Sequence, residues 1–459
     1  MLYFRDKEMS RLSEFASSPA KKAMAVYGRR RIGKTELILE YIRRDNRSDT
    51  VYFQCTSFDY NTCLGDFLNT IKPFIDNDPI LDSLRSFKDI FSYVSRISDK
   101  PLMIVIDEFP FLCKRNDNAA VEFQWIIDHG MGESKLVLLG SNLSFMQHQI
   151  TDAAAPLYGR FDEILEMHPF TFAELNQLFG NFEDAVDVYA QTGGVAQYVM
   201  FYKNYGSVAE ATAALYFNRN GRLFQEAGNM LMQELRDITT YVSILRALSS
   251  GDKDSGQIAH KAGLDPRGIF SYLNKLIDLG IVCEVTNPLS AKKRDRRYRI
   301  VDALMRFSYT FIEPNASIIT ALGPDAIPYV LGERYNEYLG SVYEDIIRAG
   351  CYEYALHGTL PFMPMEVGKW WGNVKNEKSW HESEVDVIAY DSSNIVIGEC
   401  KYRNKAVGIG ELNDLKAKTL FIPTHGRKIY YLLASKSGFT DEVKAADAIL
   451  IDQVDPIKS

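Results

Sequence analysis

Short apolar runs alternate with amphipathic segments through the first 170 residues of the chain. The runs have the length of strands and are rich in Val, Ile, Leu or Tyr; they occupy Ala23–Tyr27, Thr50–Phe53, Leu102–Ile106, Leu136–Gly140 and Ile164–Met167. Helical patterns lie between them, for example at Thr35–Arg44 and Ala120–His129. Alternating strands and helices form a parallel sheet that is covered on both faces, so an α/β domain is predicted here.

The pattern changes twice in the rest of the chain. Residues 172 to about 235 are mostly helical, and from Thr239 three helical segments precede an extended stretch and a basic segment. Three helices followed by a hairpin are typical of a winged helix-turn-helix. The segments EPNAS (313–317) and GPDAIP (323–328) have the Pro, Gly and Asn content of a linker. The predicted domains are therefore 1–235, 236–312 and 330–459.

The last predicted domain again mixes helices and strands. Its predicted elements are a helix at Asn336–Ala349, strands at Ser383–Ala389 and Ile395–Lys401, a helix at Gly410–Lys418 and a strand at Lys428–Leu433. This order predicts a small α/β domain at the C-terminal end.

Composition limits the classes of function. The net charge of −8 means that any nucleic-acid contact must come from a local basic patch. The six cysteines form no CxxC pair, which favours reduced thiols over a zinc site or a disulfide scaffold. The chain shows neither a signal peptide at its start nor a run near the roughly 20 apolar residues of a membrane span. A cytoplasmic protein without a membrane anchor is expected.

The first apolar run leads into a sequence that fits G-x-x-x-x-G-K-[ST], made of Gly28, Arg29, Arg30, Arg31, Ile32, Gly33, Lys34 and Thr35. Such a loop turns its backbone N–H groups toward phosphate oxygens, and the following helix adds its positive end. Lys34 is predicted to reach the β- and γ-phosphates of ATP, and the Thr35 hydroxyl to bind Mg²⁺. Glu36, Asn142 and Arg160 complete the predicted ATP-binding residues.

Two carboxylates, Asp107 and Glu108, follow the run at Leu102–Ile106. They lie at the carboxyl end of a predicted strand, where ligands sit in open α/β sheets. Asp107 is predicted to hold Mg²⁺, directly or through water, and Glu108 to polarise the attacking water. Without the phosphate-binding loop, a solvated strand end would be the better interpretation of this pair.

Other polar residues near the predicted strand ends allow two interpretations. Asn142 is a candidate sensor of the γ-phosphate or a turn residue, and Arg160 is a candidate γ-phosphate contact or a partner in a surface salt bridge. The side chains of the arginines at positions 29–31 are as compatible with exposure to solvent as with contact to the nucleotide. Contact from an arginine of a neighbouring copy would imply an oligomer, so oligomeric state stays open.

The segments YGRRRIGKTELI, IVIDEFPFL, LLGSN, PLYGRF and TGGVAQY, in that order, resemble the mainly archaeal ATPase family within the AAA+/STAND-related P-loop proteins. Members of that family open with F-x-R-[ED]-x-E; FRDKE matches in part, because no spacer precedes Arg5. Ala196 stands where the family often has proline. The resemblance covers about residues 1–235 and implies ATP binding and hydrolysis.

The helical segment DPRGIFSYLNKLIDLG is the predicted recognition helix of the winged-helix domain. Its predicted buried stripe is Ile269, Leu273, Leu276 and Ile277, and its outer face carries Arg267, Ser271, Asn274 and Lys275. The basic segment after it supplies the predicted DNA contacts, which are Lys292, Lys293, Arg294, Arg296 and Arg297, followed by Arg299. The alternative is a winged helix that packs domains together and carries a solvated wing.

Acids and a lysine recur on two predicted C-terminal strands. Glu399 and Lys401 share a strand face, and Asp386 joins them if the strands pair. Two carboxylates can gather a divalent cation while a lysine positions or deprotonates a water, which suffices for metal-assisted phosphodiester hydrolysis. Glu344, on the helix upstream, is the candidate third carboxylate. Asp386, Glu399 and Lys401 are the predicted catalytic residues of this domain.

This D…E-x-K arrangement resembles the PD-(D/E)xK nuclease superfamily. The residues that carry the likeness are Gly340–Glu344, Gly368–Gly372, Glu384–Asp386, Gly398–Lys401 and Ser435–Phe439, which resemble the domain often fused C-terminal to these ATPases. The likeness covers about residues 330–459 and implies a restriction-endonuclease-like fold, which also serves as an inactive binding module. Trp370 and Trp371 are interpreted as packing residues.

The expected protein is an ATP- and Mg²⁺-dependent enzyme that acts on DNA, with an N-terminal P-loop ATPase, a winged helix and a nuclease-like domain. The alternative is a nucleotide-gated regulatory or interaction protein whose nuclease-like domain binds without cutting. A transcription factor is a third hypothesis, and it requires sequence-specific, salt-dependent binding through the wing.

Overall fold

The structure is a computed structural model that describes residues 3–45, 49–56, 59–98, 100–114, 116, 118–290, 296–375 and 380–453. The chain divides into two compact units, one of residues 1–170 with 195–198 and the other of residues 171–194 with 199–459. The predicted boundaries near 235, 312 and 330 all lie within the second unit and stay predictions.

The first unit is an α/β structure. Its strands are β1 (Ala23–Tyr27), β2 (Thr50–Gln54), β3 (Met103–Asp107), β4 (Lys135–Gly140) and β5 (Glu163–Glu166). Its helices are α1 (Asp6–Ser17), α2 (Lys34–Arg44), α3 (Tyr60–Ile71), α4 (Phe87–Ile97), α5 (Phe109–Cys113), α6 (Asn118–Trp125) and α7 (Leu143–Thr151). The five strands predicted from apolar runs are confirmed to within one residue at each end.

The strands form one parallel sheet in the order β2-β3-β4-β1-β5. Side chains of β3 point alternately to its two faces: Met103 and Val105 join the core under α1 and α2, and Ile104 and Ile106 join the core under α3 to α6. The predicted parallel sheet covered on both faces is thus confirmed. The loops after β1, β3 and β4 all leave the sheet at its carboxyl edge.

The second unit begins with helices and then contains a hairpin. The helices from residue 172 to 278 are α8 (Phe172–Phe179), α9 (Phe182–Thr192), α10 (Ala196–Tyr202), α11 (Val208–Tyr216), α12 (Glu226–Glu234), α13 (Thr239–Leu248), α14 (Ser255–Ala262) and α15 (Ile269–Asp278), and the first three residues of α10 are counted with the first unit. The strands β6 (Val282–Thr286) and β7 (Arg296–Ile300) pair antiparallel. The predicted order of three helices and a hairpin is present, and its assignment as a winged helix stays a prediction.

The predicted linker is wrong. Residues 303–356 are helical over most of their length, in α16 (Ala303–Phe307), α17 (Ala316–Leu322), α18 (Ile327–Val330) and α19 (Gly332–Leu356), with short 3-10 turns at Glu313–Asn315 and Gly323–Ala326. Pro314, Pro324 and Pro328 each occupy a first turn, where the N–H that proline lacks has no helical partner. The prolines therefore start helices instead of marking a flexible segment.

An aromatic cluster connects the start of this helical region to α19. It consists of Phe307, Phe311, Tyr335 and Tyr338, whose ring centroids lie between 5.3 and 6.3 Å apart. The two tyrosine hydroxyls reach α9, where Tyr335 donates to Asp187 at 2.8 Å and Tyr338 donates to the Ala190 carbonyl at 2.6 Å. The cluster is thus shared by elements that are far apart in sequence.

The C-terminal part of the second unit is a mixed sheet with helices. Its strands are β8 (Glu366–Lys375), β9 (Trp380–Tyr390), β10 (Asn394–Lys401), β11 (Lys428–Ser435) and β12 (Ile449–Asp452), and its helices are α20 (Ile409–Thr419) and α21 (Asp441–Lys444). The sheet order is β12-β11-β10-β9-β8; β8, β9 and β10 are antiparallel neighbours, and β10, β11 and β12 are parallel ones. Of the described helices, none combines the length and apolar character needed to cross a membrane.

Candidate functional site

The phosphate-binding loop leaves β1 and enters α2 at Lys34. Gly28 has a φ of 153°, and a Cβ there would lie 2.4 Å from the Met167 carbonyl oxygen, so no side chain fits. Gly33 and Arg31 also adopt positive φ, at 93° and 69°. The loop therefore has the curled backbone that turns N–H groups toward a bound anion.

Lys34 is buried at the base of this loop. Its Nζ donates to the carbonyl oxygens of Gly28 and Arg29, at 2.9 and 3.0 Å. Burial lowers the pKa of Lys34 to about 8, against the opposing effect of the Glu108 and Asp107 carboxylates. The lysine is thus held among loop oxygens, in the position where the motif places a cation against the β- and γ-phosphates.

The Asp107 carboxylate joins the loop to β3. Its Oδ2 accepts hydrogen bonds from Thr35 Oγ1 at 2.6 Å and from the Tyr52 hydroxyl at 2.7 Å, and its Oδ1 accepts the Glu108 N–H at 2.8 Å. The residue is 1% exposed. A hydroxyl and a carboxylate in contact are the oxygen ligands that Mg²⁺ prefers, so these residues fit a magnesium ion.

Glu108 has a left-handed backbone conformation with a φ of 55°. Its carboxylate accepts a hydrogen bond from Ser141 Oγ at 2.6 Å, and Ser141 directly follows β4. A non-glycine residue with positive φ is uncommon and is frequent at functional sites. The backbone turn and the serine together fix the carboxylate at the carboxyl edge of the sheet.

Sequence reasoning missed three residues of this site: Tyr52, Ser141 and Arg5. The buried Arg5 guanidinium donates to the Ile32 carbonyl at 3.3 Å and to the His168 carbonyl at 2.7 Å, and pairs with Glu8 at 2.9 Å. Arg5 therefore ties the phosphate-binding loop to the segment after β5. The FRDKE segment at the chain start, which matches the family's opening element in part, is the signal that could have indicated this contact.

The remaining predicted nucleotide contacts have other neighbours in this structure. Asn142 caps α7 by accepting the Phe145 N–H at 3.0 Å, and Arg160 pairs with Asp128 at 3.1 Å. Glu36 is exposed in the first turn of α2. The Arg30 guanidinium lies 6.0 Å from the Phe111 ring, the Arg31 guanidinium lies 5.4 Å from the Tyr198 ring, and Arg29 is in the loop. Asn142 thus occupies a turn and Arg160 forms a salt bridge, which are the alternatives considered for these two residues. Their contacts with nucleotide stay predictions.

The predicted nuclease residues come together where β9 and β10 pair. Gly398 lies opposite Val387, which brings Asp386 and Glu399 beside each other. Asp386 Oδ2 accepts the Cys400 N–H at 2.8 Å, and Glu399 is paired with Lys401 at 2.7 Å. Lys418 of α20, which the sequence did not single out, pairs with the second Glu399 oxygen at 3.2 Å.

Glu344 approaches this group from α19. Burial, and then the nearby Asp386 carboxylate, raises the pKa of Glu344 above its usual range, while burial and Glu399 raise the pKa of Asp386 in the same way. Across the described residues, however, no three or more His, Cys, Asp or Glu side chains are arranged to hold a metal ion together. The fit to a metal therefore rests on the adjacent pair of Asp386 and Glu399.

The predicted recognition helix and wing are described in part. Ile269, Leu273 and Leu276 are buried and Ile277 is half-buried, while Arg267, Ser271, Asn274 and Lys275 are exposed, as predicted. Lys292, Lys293 and Arg294 lie outside the described residues.

The described wing arginines are engaged within the second unit. Arg296 pairs with Glu284 at 3.1 Å. Arg297 pairs with Glu382 and, at 2.8 Å, with Glu384, and its guanidinium lies 4.6 Å from the Trp371 ring. Trp370 and Trp371 are buried, which confirms their interpretation as packing residues.

The solved structures similar to this chain include the ORC2 protein of Aeropyrum pernix in ADPNP–ADP complexes, at 16% identity and a TM-score of 0.45, covering 70% of this chain and 95% of that one. Cdc6p of Pyrobaculum aerophilum has 15% identity and a TM-score of 0.36, with 71% and 95% covered. An uncharacterized protein of Methanocaldococcus jannaschii is 28% identical over 472 residues, covering 99% of this chain and 100% of that protein.

Two family descriptions match separate parts of the chain. Residues 2–201 match the ATPase domain predominantly from Archaea, and residues 308–416 match a family of archaeal and bacterial proteins of unknown function. The first match covers the whole phosphate-binding loop and the two acidic residues at the carboxyl end of β3, Asp107 and Glu108. The chain therefore carries an archaeal-type ATPase domain at residues 2–201 and, at residues 308–416, a domain shared with those archaeal and bacterial proteins.

Proposed function

We propose that this protein binds and hydrolyses ATP and uses the nucleotide to control an action on DNA. The observation that carries the ATPase part is the 2.6 Å contact between Thr35 Oγ1 and the Asp107 carboxylate, beside the loop-bound Lys34. When the hydroxyl of a phosphate-binding loop contacts a carboxylate at the end of a neighbouring strand, the two groups can bind the Mg²⁺ that accompanies the nucleotide. The match to an ATPase family over the same residues supports this assignment.

Each residue of the proposed site has a separate task. Thr35 and Asp107 would hold Mg²⁺, which neutralises charge on the β- and γ-phosphates when bound. Lys34 would exchange its loop carbonyl partners for phosphate oxygens. Glu108, fixed by its backbone turn and by Ser141, would orient and polarise the attacking water. ADP and phosphate leave as products.

The proposed action on DNA belongs to the second unit. The helices α13 to α15 and the hairpin β6–β7 would form a winged helix, with Arg296, Arg297 and the neighbouring lysines as phosphate contacts. Asp386, Glu399 and Lys401 would form a nuclease site in which the carboxylates hold a divalent cation and the lysine holds a water. The pairing of β9 with β10, which brings these side chains together, supports this proposal.

A second candidate is a nucleotide-gated interaction protein that binds through its C-terminal domain without cutting. Three observations favour it. Glu399 is already neutralised by Lys401 and Lys418, and the described residues include no three-ligand group for a metal. Arg297, a predicted DNA contact, is engaged by two glutamates. ATP would then control the binding of a partner to the C-terminal domain, and it would not control a cleavage reaction.

Cleavage of supercoiled and linear DNA, with Mg²⁺ or Mn²⁺ and with or without ATP, separates the two candidates. The full chain is compared with Asp386→Ala and with Asp441→Ala, a control that removes a fully exposed carboxylate of α21. We expect cleavage by the wild type and by Asp441→Ala, none by Asp386→Ala, and unchanged ATP hydrolysis in all three. Cleavage that survives in Asp386→Ala would refute the assigned nuclease site.

The same preparations test the ATPase site. Lys34→Ala removes the charge that holds the β- and γ-phosphates, so ATP hydrolysis should be lost. Unchanged hydrolysis in this variant would refute the proposed site. Wild-type protein that hydrolyses ATP but cleaves no DNA under any condition would favour the interaction protein.

A further inference from the structure

Arg31 holds a strained backbone conformation inside the phosphate-binding loop. Its φ is 69°, in the left-handed region that residues other than glycine rarely adopt. Gly33 also has a positive φ, at 93°, but it carries no side chain that this conformation would strain. A strained residue of this kind keeps its conformation only where the surrounding structure holds it. The groups that hold Arg31 therefore help to shape the loop.

The first turn of α10 supplies two of these groups. The Gln197 N–H donates to the Arg31 carbonyl oxygen at 3.0 Å. The Arg31 guanidinium donates to the Tyr198 hydroxyl at 3.3 Å and lies 5.4 Å from the centroid of the Tyr198 ring. Tyr198 is buried, and residues 195–198 are counted with the same unit as the loop. Arg31 is thus held at both its backbone and its side chain by a turn that is distant in sequence.

A hydrogen bond to a loop carbonyl also sets the direction of the next N–H group. The carbonyl of one residue and the N–H of the next point in opposite directions across a trans peptide, and both peptides around Ile32 are trans. The bond from Gln197 to Arg31 therefore turns the Ile32 N–H away from α10. The bond from Arg5 to the Ile32 carbonyl turns the Gly33 N–H away from Arg5 in the same manner. N–H groups of successive loop residues form the concavity that binds a phosphate.

We propose that Gln197 and Tyr198 are positioning residues of the nucleotide site. They hold Arg31 in its left-handed conformation, which directs the Ile32 N–H toward a phosphate of the bound nucleotide. Gln197 acts through its backbone, so its own side chain has no part in this role. The proposal rests on the proposed ATP-binding function and adds residues that act on the loop without contacting the nucleotide.

Positioning of this kind acts in both directions. If the first turn of α10 favours the loop shape that binds phosphate, a bound phosphate must favour the docked turn by the same factor. Hydrogen exchange of the α10 amides should therefore be slower when ADP is bound. This effect should be reduced in a variant that lacks the bond from Gln197 to Arg31, even when ADP is saturating.

The test removes one N–H group at a time. Gln197→Pro removes the N–H that donates to Arg31, and proline is tolerated there because Gln197 lies in the first turn of α10. Ala196→Pro is the matched control, since it introduces proline one residue earlier, where the related family often has it, and keeps the Gln197 N–H. Tyr198→Phe removes the hydroxyl and keeps the ring, so it tests the side-chain contact if Gln197→Pro fails to fold.

Binding of a fluorescent ADP analogue and steady-state ATP hydrolysis are measured on the same preparations of the full chain. The loss of one hydrogen bond should weaken ADP binding by Gln197→Pro about threefold to tenfold. Tyr198→Phe should bind about twofold to threefold more weakly, because its ring contact remains. Ala196→Pro should bind like the wild type.

The kinetic constants separate positioning from a structural role. The bond from Gln197 to Arg31 shapes the loop before and during the reaction, so Gln197→Pro should raise KM for ATP and keep kcat within about twofold of the wild type. A purely structural role would instead reduce the amount of folded protein, which lowers kcat and leaves KM unchanged.

Wild-type affinity for ADP in the folded Gln197→Pro and Tyr198→Phe variants would overturn the proposal. An equal loss in Ala196→Pro would also overturn it, as would an ADP effect on α10 exchange that is the same in Gln197→Pro and the wild type. Lys34→Ala distinguishes these results from failure of the proposed ATPase site. Equal binding of ADP by Lys34→Ala and the wild type would refute the site and the positioning role together, whereas binding that depends on Lys34 but not on Gln197 or Tyr198 would refute the positioning role alone.

Discussion

Tyr52→Phe tests the proposed nucleotide site at a residue that the sequence did not reveal. The substitution removes one oxygen, the hydroxyl that donates to Asp107 Oδ2 at 2.7 Å, and keeps the ring on β2. The same carboxylate oxygen accepts Thr35 Oγ1 at 2.6 Å. Tyr52 is therefore a positioning residue that acts through Asp107.

The expected effect follows from the number of bonds that remain. A hydrogen bond to a charged group contributes ~1.5–3 kcal/mol. Asp107 keeps its bonds to Thr35 and to the Glu108 N–H, so the carboxylate moves little and the lower value applies. A loss of ~1.5 kcal/mol in the transition state corresponds to a roughly tenfold lower kcat/KM for ATP hydrolysis with Mg²⁺.

The assay pairs hydrolysis with nucleotide binding. Steady-state hydrolysis is measured across a Mg²⁺ titration, and binding of a fluorescent ATP analogue is measured in EDTA, where Asp107 has no metal to hold. Tyr60→Phe is the matched control, since Tyr60 also donates to a carboxylate, Glu122, at 2.6 Å in the same unit. Both variants should lose similar stability, and only Tyr52→Phe should lose hydrolysis.

Two results would refute this reasoning. Equal hydrolysis by Tyr52→Phe and the wild type at every Mg²⁺ concentration would mean that Asp107 needs no support from β2. An equal loss in Tyr60→Phe would mean that the effect comes from general destabilisation of the unit.

Three further predictions concern residues of the two units. Glu108→Gln should bind ATP with unchanged affinity and hydrolyse it ~100-fold more slowly or worse, measured by single-turnover kinetics; hydrolysis near the wild-type rate would exclude Glu108 as the group that activates water. Arg5→Ala should lower the free energy of unfolding in urea by ~3 kcal/mol, because two bonds to buried carbonyls are removed, and Arg5→Lys should recover part of this; no change would contradict the role of Arg5 in fixing the loop. Burial raises the pKa of Asp187 from 3.8 to about 6, so its ionised form destabilises the folded protein above pH 6, and this cost disappears as pH falls from 6 to 4. Asp187→Asn should accordingly stabilise the protein at pH 7 by up to ~3 kcal/mol and show less gain on acidification than the wild type; equal pH profiles would contradict this assignment.

The first sheet was predictable from sequence because its signals are local. The central strands β1, β3 and β4 are apolar runs buried on both faces over nearly their whole length, and the phosphate-binding loop is a contiguous motif with fixed glycine positions. The Tyr52 contact was not predictable in the same way. Parallel pairing places Tyr52 beside Val105 and thus near Asp107, and no pattern within β2 encodes that neighbour.

The second unit shows where local signals mislead. Pro314, Pro324 and Pro328 indicate a linker when they are considered alone, but each is compatible with the first turn of a helix. β8 was also missed, because Gly368 and Gly372 weaken its strand pattern. In the folded protein a Cβ on Gly372 would lie 2.4 Å from the Trp370 ring, so packing of that ring requires the glycine.

The aromatic cluster of Phe307, Phe311, Tyr335 and Tyr338 has a consequence for how this chain can be divided. Its first two rings come before the predicted boundary at residue 330 and its last two come after it, so a cut there would leave both pieces with exposed aromatic surface. In the intact protein, the parts of the chain before and after residue 330 should therefore unfold together, in a single calorimetric transition. Because the aromatic cluster needs residues from both sides of position 330, a gene fusion that transferred only the last part of this chain to another protein would leave the hydrophobic core incomplete. Residues from α16 to the C-terminal sheet are expected to be inherited as one piece.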